Sequence, residues 1–261
     1  MSSNLWTAPN IAALASVTHG FTRRAGGVSV PPFDSLNLGL HVGDVPDAVR
    51  ENRARVAGWF GSGLERMVCA EQVHGGRVAV VESADAGRGA AVLAEAIPGV
   101  DALVTKSDRV LLALFFADCV PVFFADERRG VVAVAHAGWR GLVAGVLENT
   151  LATMDTRFGS VPGEMQVAVG PCIGRERFEV GDEVAAHFSD FLVAPDSPGG
   201  KPRVDLAAAA ARRLIGAGIA PQNLYVSGEC TASEPGRYFS HRRDGGRTGR
   251  MGGFIALRSR S

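Results

Sequence analysis

Two apolar runs separated by a charged turn constrain this chain more than any other feature. The first, 111–126, reads Leu-Leu-Ala-Leu-Phe-Phe-Ala-Asp-Cys-Val-Pro-Val-Phe-Phe-Ala-Asp. The second, 131–141, reads Val-Val-Ala-Val-Ala-His-Ala-Gly-Trp-Arg-Gly. Both have the composition of strands, and Asp126 to Gly130 is short enough to be a tight turn between them. Each run delivers a reactive side chain near a strand end, Cys119 in one and His136 in the other. Paired as neighbours, the runs would bring these two together, so chemistry is expected within 111–141.

The 261 residues suffice for a sizeable core, as one large domain or two small ones. Hydrophobic residues make up 46% and charged residues 21%, the balance of an ordinary globular protein. Lys plus Arg equals Asp plus Glu at 27 each, so no global field recruits nucleic acid or an anionic membrane. The first ten residues lack the basic and apolar regions of a secretory signal. No apolar stretch reaches the roughly 18 residues that a membrane span needs. A cytoplasmic protein is expected. The 4 cysteines include no close pair and read as thiols rather than a disulfide framework.

Along the chain, 17–24 reads as a strand closed by a glycine turn, and 29–43 as an irregular wrap of the kind that often carries function. Asp-Val-Pro-Asp at 44–47 is helix-start chemistry, and Val49, Val56 and Phe60 continue at helical spacing, so 44–60 is expected to be a helix. An Arg on such a helix, as Arg53 is, ordinarily lies in solvent. Residues 67–81 read as two short strands about a Gly-Gly turn, with His74 at its mouth. Further strands are expected at 101–106, 110–116, 165–169, 224–227 and 253–257, and helices at 142–158, 180–191 and 206–217. Pro-Gly-Gly-Lys-Pro marks 196–202 as a mobile loop. Strands and helices intermix without regular βαβ alternation, which predicts a single α+β domain with mixed sheets. Neither a GxGxxG nor a P-loop pattern occurs, so a dinucleotide or Walker-type site has no support.

His74, Cys119 and His136 each end an apolar run beside Gly, Pro or Asp, 45 and 17 residues apart (119−74 and 136−119). Two imidazoles and one thiolate make a three-ligand zinc set with an open position, the pattern of catalytic rather than structural zinc. The spacing is no local zinc-finger signature, and the residues alone leave three readings open. Cys119 is a buried small residue, a metal thiolate, or a nucleophile with His136 as its base.

Several longer blocks occur in order. They are Ser35-Leu-Asn-Leu-Gly39 with His41-Val-Gly-Asp44, then Gln72-Val-His-Gly75, Ala117-Asp-Cys-Val-Pro121 and Ala135-His-Ala-Gly-Trp-Arg-Gly141. Gly170-Pro-Cys-Ile-Gly174 follows, then Phe239-Ser-His-Arg-Arg-Asp244 with Thr248-Gly-Arg250. With these the chain resembles, from about residue 20 to 257, the YfiH/YlmD laccase-domain family. That family was once described as multicopper polyphenol oxidases and includes the peptidoglycan editing factor.

The resemblance implies an α/β/β/α-type sandwich, related in fold to the deamidase domain of cytotoxic necrotizing factors, forming one catalytic domain. It implies zinc held by His74, Cys119 and His136, with copper as an adventitious substitute. Family members are reported to phosphorolyse adenosine, inosine, guanosine and methylthioadenosine, so purine nucleoside and phosphate are the implied partners. Adenosine deamination, phenol oxidation and editing of cell-wall precursors are also assigned to the family. On that basis Arg53 or Arg24 is expected to meet a phosphate oxygen, Asn37 a ribose or base, and Cys172 to line the pocket. Gln72 and Arg140 are expected behind the ligands, and Asp118 to orient a ligand or backbone. Two departures stand out. Thr22-Arg-Arg-Ala-Gly-Gly27 carries one residue more than the family's usual Thr-Arg-x-Gly-Gly, and His241 stands where Tyr is common.

Self-contained four-copper laccase chemistry needs about ten histidine ligands, and the chain has 6 His in all. The His-x-Glu and Pro-Cys-x-x-Cys signature of cytidine deaminases is absent. The activity the resemblance implies is zinc-dependent purine nucleoside phosphorolysis, with adenosine deamination as a side activity and a precursor-editing hydrolase at the same site or weak phenol oxidation as the alternatives.

Overall fold

The computed structural model describes residues 4–195 and 199–258. Strands β1 (Leu5–Trp6) and β2 (Val17–Thr22) flank a short helix α1 (Pro9–Ala12). Helix α2 (Pro46–Trp59) leads to β3 (Met67–Cys69), β4 (Val78–Val81), β5 (Ala102–Thr105) and β6 (Leu111–Phe116). The hairpin β7 (Val120–Asp126) and β8 (Val131–Ala137) is followed by α3 (Trp139–Val143) and α4 (Val146–Phe158). Then come β9 (Gln166–Val169), α5 (Asp182–Ala185), and the two-residue strands β10 (Leu192–Val193) and β11 (Arg203–Val204). Helix α6 (Leu206–Gly216), β12 (Leu224–Val226) and β13 (Met251–Leu257) complete the order.

Two mixed sheets stack face to face. One has the order β1-β2-β13-β6-β3, the other β12-β9-β7-β8-β5-β4. Strand parity assigns the layers. Leu112, Leu114 and Phe116 of β6 meet Phe123, Val132 and Val134 of the hairpin in the core between the sheets. Val122, Phe124, Ala133 and Ala135 face the other way, against Leu147, Leu151 and Met154 of α4 and Ala209 and Leu214 of α6. Leu111, Ala113 and Phe115 face outward from the first sheet onto Val56 and Ala57 of α2. The result is the α/β/β/α sandwich, and it explains why both runs are continuously apolar: each strand is covered on both faces. Each large side chain buried this way contributes roughly 1.5–3 kcal/mol.

Helix α2 starts with Pro46 at its first position and Asp47 in its first turn, both favourable there. Its inner face carries Val49, Asn52, Arg53, Val56 and Ala57, so Arg53 is buried rather than solvated. The expected helix at 142–158 is broken at Gly145, whose φ of 77° separates α3 from α4. The expected helix at 180–191 shrinks to α5 and a 3-10 turn, Ser189–Phe191. Phe188 dips into the core at φ −133°, which ends the helical path. The expected mobile loop at 196–202 falls in part on 196–198, outside the described residues. No helix among the described residues is long and apolar enough to cross a membrane.

The main departure from the sequence reading concerns 111–126. The strand expected at 110–116 is β6, and it lies in a different sheet from β7, the other half of the same apolar run. The chain crosses from one sheet to the other through Ala117, Asp118 and Cys119. Strands β3 and β4 are likewise in different sheets, and the segment between them carries His74. Both crossings occur at one end of the sandwich, where β8 also finishes: Val120 pairs with Ala137 and Pro121 with His136. The start of β13 lies at the same end, since Met251 pairs with Phe116.

Candidate metal centre

The topology brings the three expected ligands together. One ligand atom from each of His74, Cys119 and His136 lies within 4.8 Å of the others, and the two imidazole centroids are 4.8 Å apart. Among the described residues this is the one group of three or more His, Cys, Asp or Glu side chains that could hold a metal ion. Gly138 makes the packing possible: a Cβ there would sit 2.8 Å from Cys119 Sγ and 3.3 Å from His74 Cδ2.

A carboxylate that the sequence did not single out organises the set. Asp101, fully buried just ahead of β5, takes His136 Nδ1–H on Oδ1 at 2.9 Å. An ionised carboxylate only accepts, so Nδ1 carries the proton and Nε2 is left for a metal. The same carboxylate accepts from the amides of Val73 (3.2 Å), His74 (2.9 Å) and Gly75 (2.7 Å). These bonds hold His74 in the left-handed region at φ 61°, unusual for a residue other than glycine. Burial works against the Asp101 charge, but the His136 and Gly75 hydrogen bonds outweigh it and keep the carboxyl below its usual range. Only its place ahead of a strand run marked Asp101 in the sequence.

Electrostatics favour a thiolate. Burial opposes ionisation of Cys119, yet the His136 charge and hydrogen bonds from both imidazoles bring its thiol down to about 6. Burial likewise opposes charge on His136, but the Cys119 thiolate and Asp101 push the imidazole up to about 9. Without metal the site is thus a thiolate–imidazolium pair, and a divalent ion would replace that proton. Two nitrogens and one thiolate, with a carboxylate behind one imidazole, suit zinc or copper, and His74, Cys119 and His136 would hold it.

The centre opens onto a cavity of about 970 Å³, large enough for a small-molecule ligand. Arg53, Arg242, Arg250, His41 and His241 line it alongside the metal set. Gln72 also lines it, exchanging hydrogen bonds of 2.9 and 2.8 Å with the Phe115 backbone, which fixes the segment leading to His74. Asp118 orients backbone and hydroxyls: it accepts from Thr231 Oγ1 (2.6 Å), Ser240 Oγ (3.0 Å) and the Arg242 amide (3.0 Å).

Other expected contacts fall elsewhere. Asn37 is fully buried outside the cavity lining, where it bonds the Gly39 and Arg250 amides through Oδ1 and Asp44 through Nδ2. Its role is to shape a loop, and it has no exposed face for a ribose. Arg24 is also outside the lining, engaged by Asp34 O, Pro235 O and the Asp34 carboxylate. Cys172, 4% exposed, packs in the outer core, where burial pushes its thiol up. Arg140 lies over the Trp139 ring instead of behind a ligand. Arg250 and His41, which do reach the cavity, sit in blocks recognisable in the sequence but carried no signal for their direction.

The family described as "Multi-copper polyphenol oxidoreductase laccase" matches residues 18–258. A relative from Geobacillus stearothermophilus, named purine nucleoside phosphorylase YlmD, is 43% identical over 97% of this chain and 94% of its own length. A Bacillus subtilis protein of the same name is 40% identical over 93% of this chain and 89% of its own. The crystal structure of YlmD from Geobacillus stearothermophilus superposes with a TM-score of 0.91 at 42% identity, covering 99% of this chain and 98% of that one. The chain belongs to the YfiH/YlmD laccase-domain family.

Proposed function

We propose that the chain is a zinc-dependent purine nucleoside phosphorylase acting on adenosine, inosine, guanosine and methylthioadenosine. The observation that carries this reading is a cavity in which the His74, Cys119 and His136 set and three arginines, Arg53, Arg242 and Arg250, share one space. The names of relatives at about 40% identity across nearly the whole chain support it.

Phosphorolysis joins a phosphate oxygen to the ribose C1′ as the C1′–N9 bond breaks, and that bonding pair leaves with the purine. The reaction passes through a sugar cation-like state, so it is governed by positioning and by charge at the two ends. Arginines in the cavity supply the seat for the phosphate. His241 and Arg242 are the donors available to a purine nitrogen as negative charge develops on it. Zinc, when bound, supplies Lewis-acid polarisation of an oxygen at this site. Asp101 keeps the proton of His136 on Nδ1, so the imidazole serves as a ligand rather than an acid.

One metal-capable group among the described residues is too few for a type-1 copper plus a three-copper cluster, so the multicopper description does not extend to four-copper chemistry here. Copper in the zinc position supports at most weak phenol oxidation. Deamination of adenosine, which needs a water aimed at C6, is kept as a side activity. One observation favours a second reading: the low thiol pKa of Cys119 beside His136 is also what a hydrolytic nucleophile needs. That reading is a hydrolase editing peptidoglycan precursors, and it predicts phosphate-independent release of the misincorporated amino acid.

The test is direct. Purified protein should carry close to one zinc, and His136→Ala should lose metal and nucleoside cleavage together. Full metal occupancy with unchanged turnover in that variant contradicts the proposal.

A further inference from the structure

Two free thiols outside the metal set are direct neighbours across a pair of strands. Cys172 follows β9 and Cys230 follows β12, which pair in parallel from Val167 with Leu224 to Val169 with Val226. That pairing resumes beyond the strand ends as an isolated parallel bridge between Cys172 and Cys230. The Cys172 amide donates to Glu229 O at 3.3 Å, and the Thr231 amide donates to Cys172 O at 2.9 Å. Paired strands lie about 4.8 Å apart, and directly paired residues project to the same face. This separation falls inside the roughly 4.4–6.8 Å that a disulfide spans between Cα atoms.

One peptide unit touches both sulfurs. The Gly174 amide donates to Cys230 Sγ at 3.1 Å, and the Cys172 thiol faces the Ile173 carbonyl at 3.6 Å. Glycine at 174 gives the Cys230 sulfur its room, since a Cβ there would lie 3.1 Å from it. The two thiols differ in exposure. Cys230 is half-buried, whereas Cys172 is 4% exposed and burial pushes its thiol up. An outside reagent therefore meets Cys230 first, and Cys172 is shielded from everything but its neighbour.

We propose that Cys172 and Cys230 form a dithiol site which a peroxide converts reversibly to a disulfide, separate from the His74, Cys119 and His136 set. The Cys230 sulfur attacks one oxygen of hydrogen peroxide, the O–O bond breaks, and a sulfenic acid forms with release of one water. The Cys172 sulfur then attacks the sulfenic sulfur. The S–O bond breaks, and the hydroxyl leaves with the Cys172 proton as a second water. The two thiols together lose two electrons, and the peroxide gains them. The bridge also lies one residue from two ties on Asp118. Asp118 O accepts from the Ile173 amide at 3.0 Å, and Asp118 Oδ1 accepts from Thr231 Oγ1 at 2.6 Å. The disulfide thus fixes the two segments that hold the residue before Cys119, and it consumes none of the metal-capable side chains.

The experiment is treatment of the zinc-loaded full chain with hydrogen peroxide, followed by intact mass and by peptide mapping without reduction. The unmodified chain should lose the mass of two hydrogens, and the peptides holding Cys172 and Cys230 should appear as one linked species. Dithiothreitol should restore the original mass, and zinc content should stay constant throughout. Cys172→Ser should form no link and leave Cys230 as a sulfenic acid that dimedone traps. Because Cys172 is packed in the core, Cys230→Ser carries the test if the first variant misfolds, and it should leave Cys172 unoxidised. A link between Cys172 and Cys119, oxidation of Cys230 without any link, or no oxidation of either thiol overturns the proposal. Loss of zinc in step with the link overturns the separation of the two sites.

Discussion

The two walls of the cavity are built by different means. Most of the metal-capable wall comes from strand ends of one hydrogen-bonded sheet: Cys119 precedes β7, His136 lies next to the last residue of β8, and Asp101 precedes β5. Asp101 also ties down His74, which the segment between β3 and β4 carries. The cationic wall comes from an irregular loop, a helix and one residue ahead of a strand, joined by the buried amide of Asn37 and the carbonyl of Leu38. Rigid pairing places ligands to fractions of an ångström, as a metal requires. A bonded loop places charges, which act over longer distances and tolerate looser placement. The comparison predicts that damage to the strand wall is all-or-none, and that damage to the loop wall is graded.

The largest effect should come from the strand wall itself. Cys119→Ala should remove metal and lower nucleoside cleavage by at least roughly a thousandfold, as read by metal analysis and single-turnover assay. Unaltered zinc content would break the comparison at its first term. Asp101→Asn should come next. An amide nitrogen at that position confronts an amide donor from Val73 or Gly75, so the His74 segment loses its anchor, and metal affinity should fall roughly 10- to 100-fold. Competition with a chelator measures this.

A third test uses the charge balance of the same wall. In metal-free protein, alkylation of Cys119 should rise with a midpoint near pH 6, because the thiolate persists down to its lowered pKa of about 6. The thiols of Cys69 and Cys172, pushed up by burial, should stay unmodified in the folded state. Added zinc should block the reaction at Cys119. A midpoint in the ordinary thiol range would mean that the pairing with His136 is absent.

The smallest effect lies outside both walls. His19 Nε2 accepts the Ala8 amide at 2.8 Å, and burial lowers its pKa from 6.5 to about 4. The folded state thus binds fewer protons than the unfolded state between these values. The associated stability is complete above pH 6.5 and is lost as pH falls towards 4, by at most about 3 kcal/mol. His19→Gln should flatten the fall of Tm over that window and leave metal binding alone.

These contrasts explain how much was legible beforehand. Apolar periodicity located β5, β6 and α2 within two residues, and the ends of apolar runs singled out all three metal-capable side chains. Periodicity could not reveal that 111–126 changes sheets at Ala117 to Cys119, because both halves are equally apolar. Asn37, Arg24 and Cys172 lie in blocks as recognisable as those of the ligands, but a block does not state which way a side chain points. Asn37 turns inward because its amide completes a loop, and Cys172 because the segment after β9 packs into the outer core. Arg53 was legible as a helical residue but not as a buried one, since α2 closes over an outward-facing Phe115 whose ring holds the guanidinium. Asp101 and Arg250 act through backbone partners distant in sequence, and such partners leave no local pattern.

The most direct test of the central claim is the fate of the ribose when zinc-loaded protein cleaves adenosine with and without inorganic phosphate. The cavity described here predicts adenine and ribose 1-phosphate in equal amounts, formed only when phosphate is present. Free ribose, or turnover indifferent to phosphate, would contradict it.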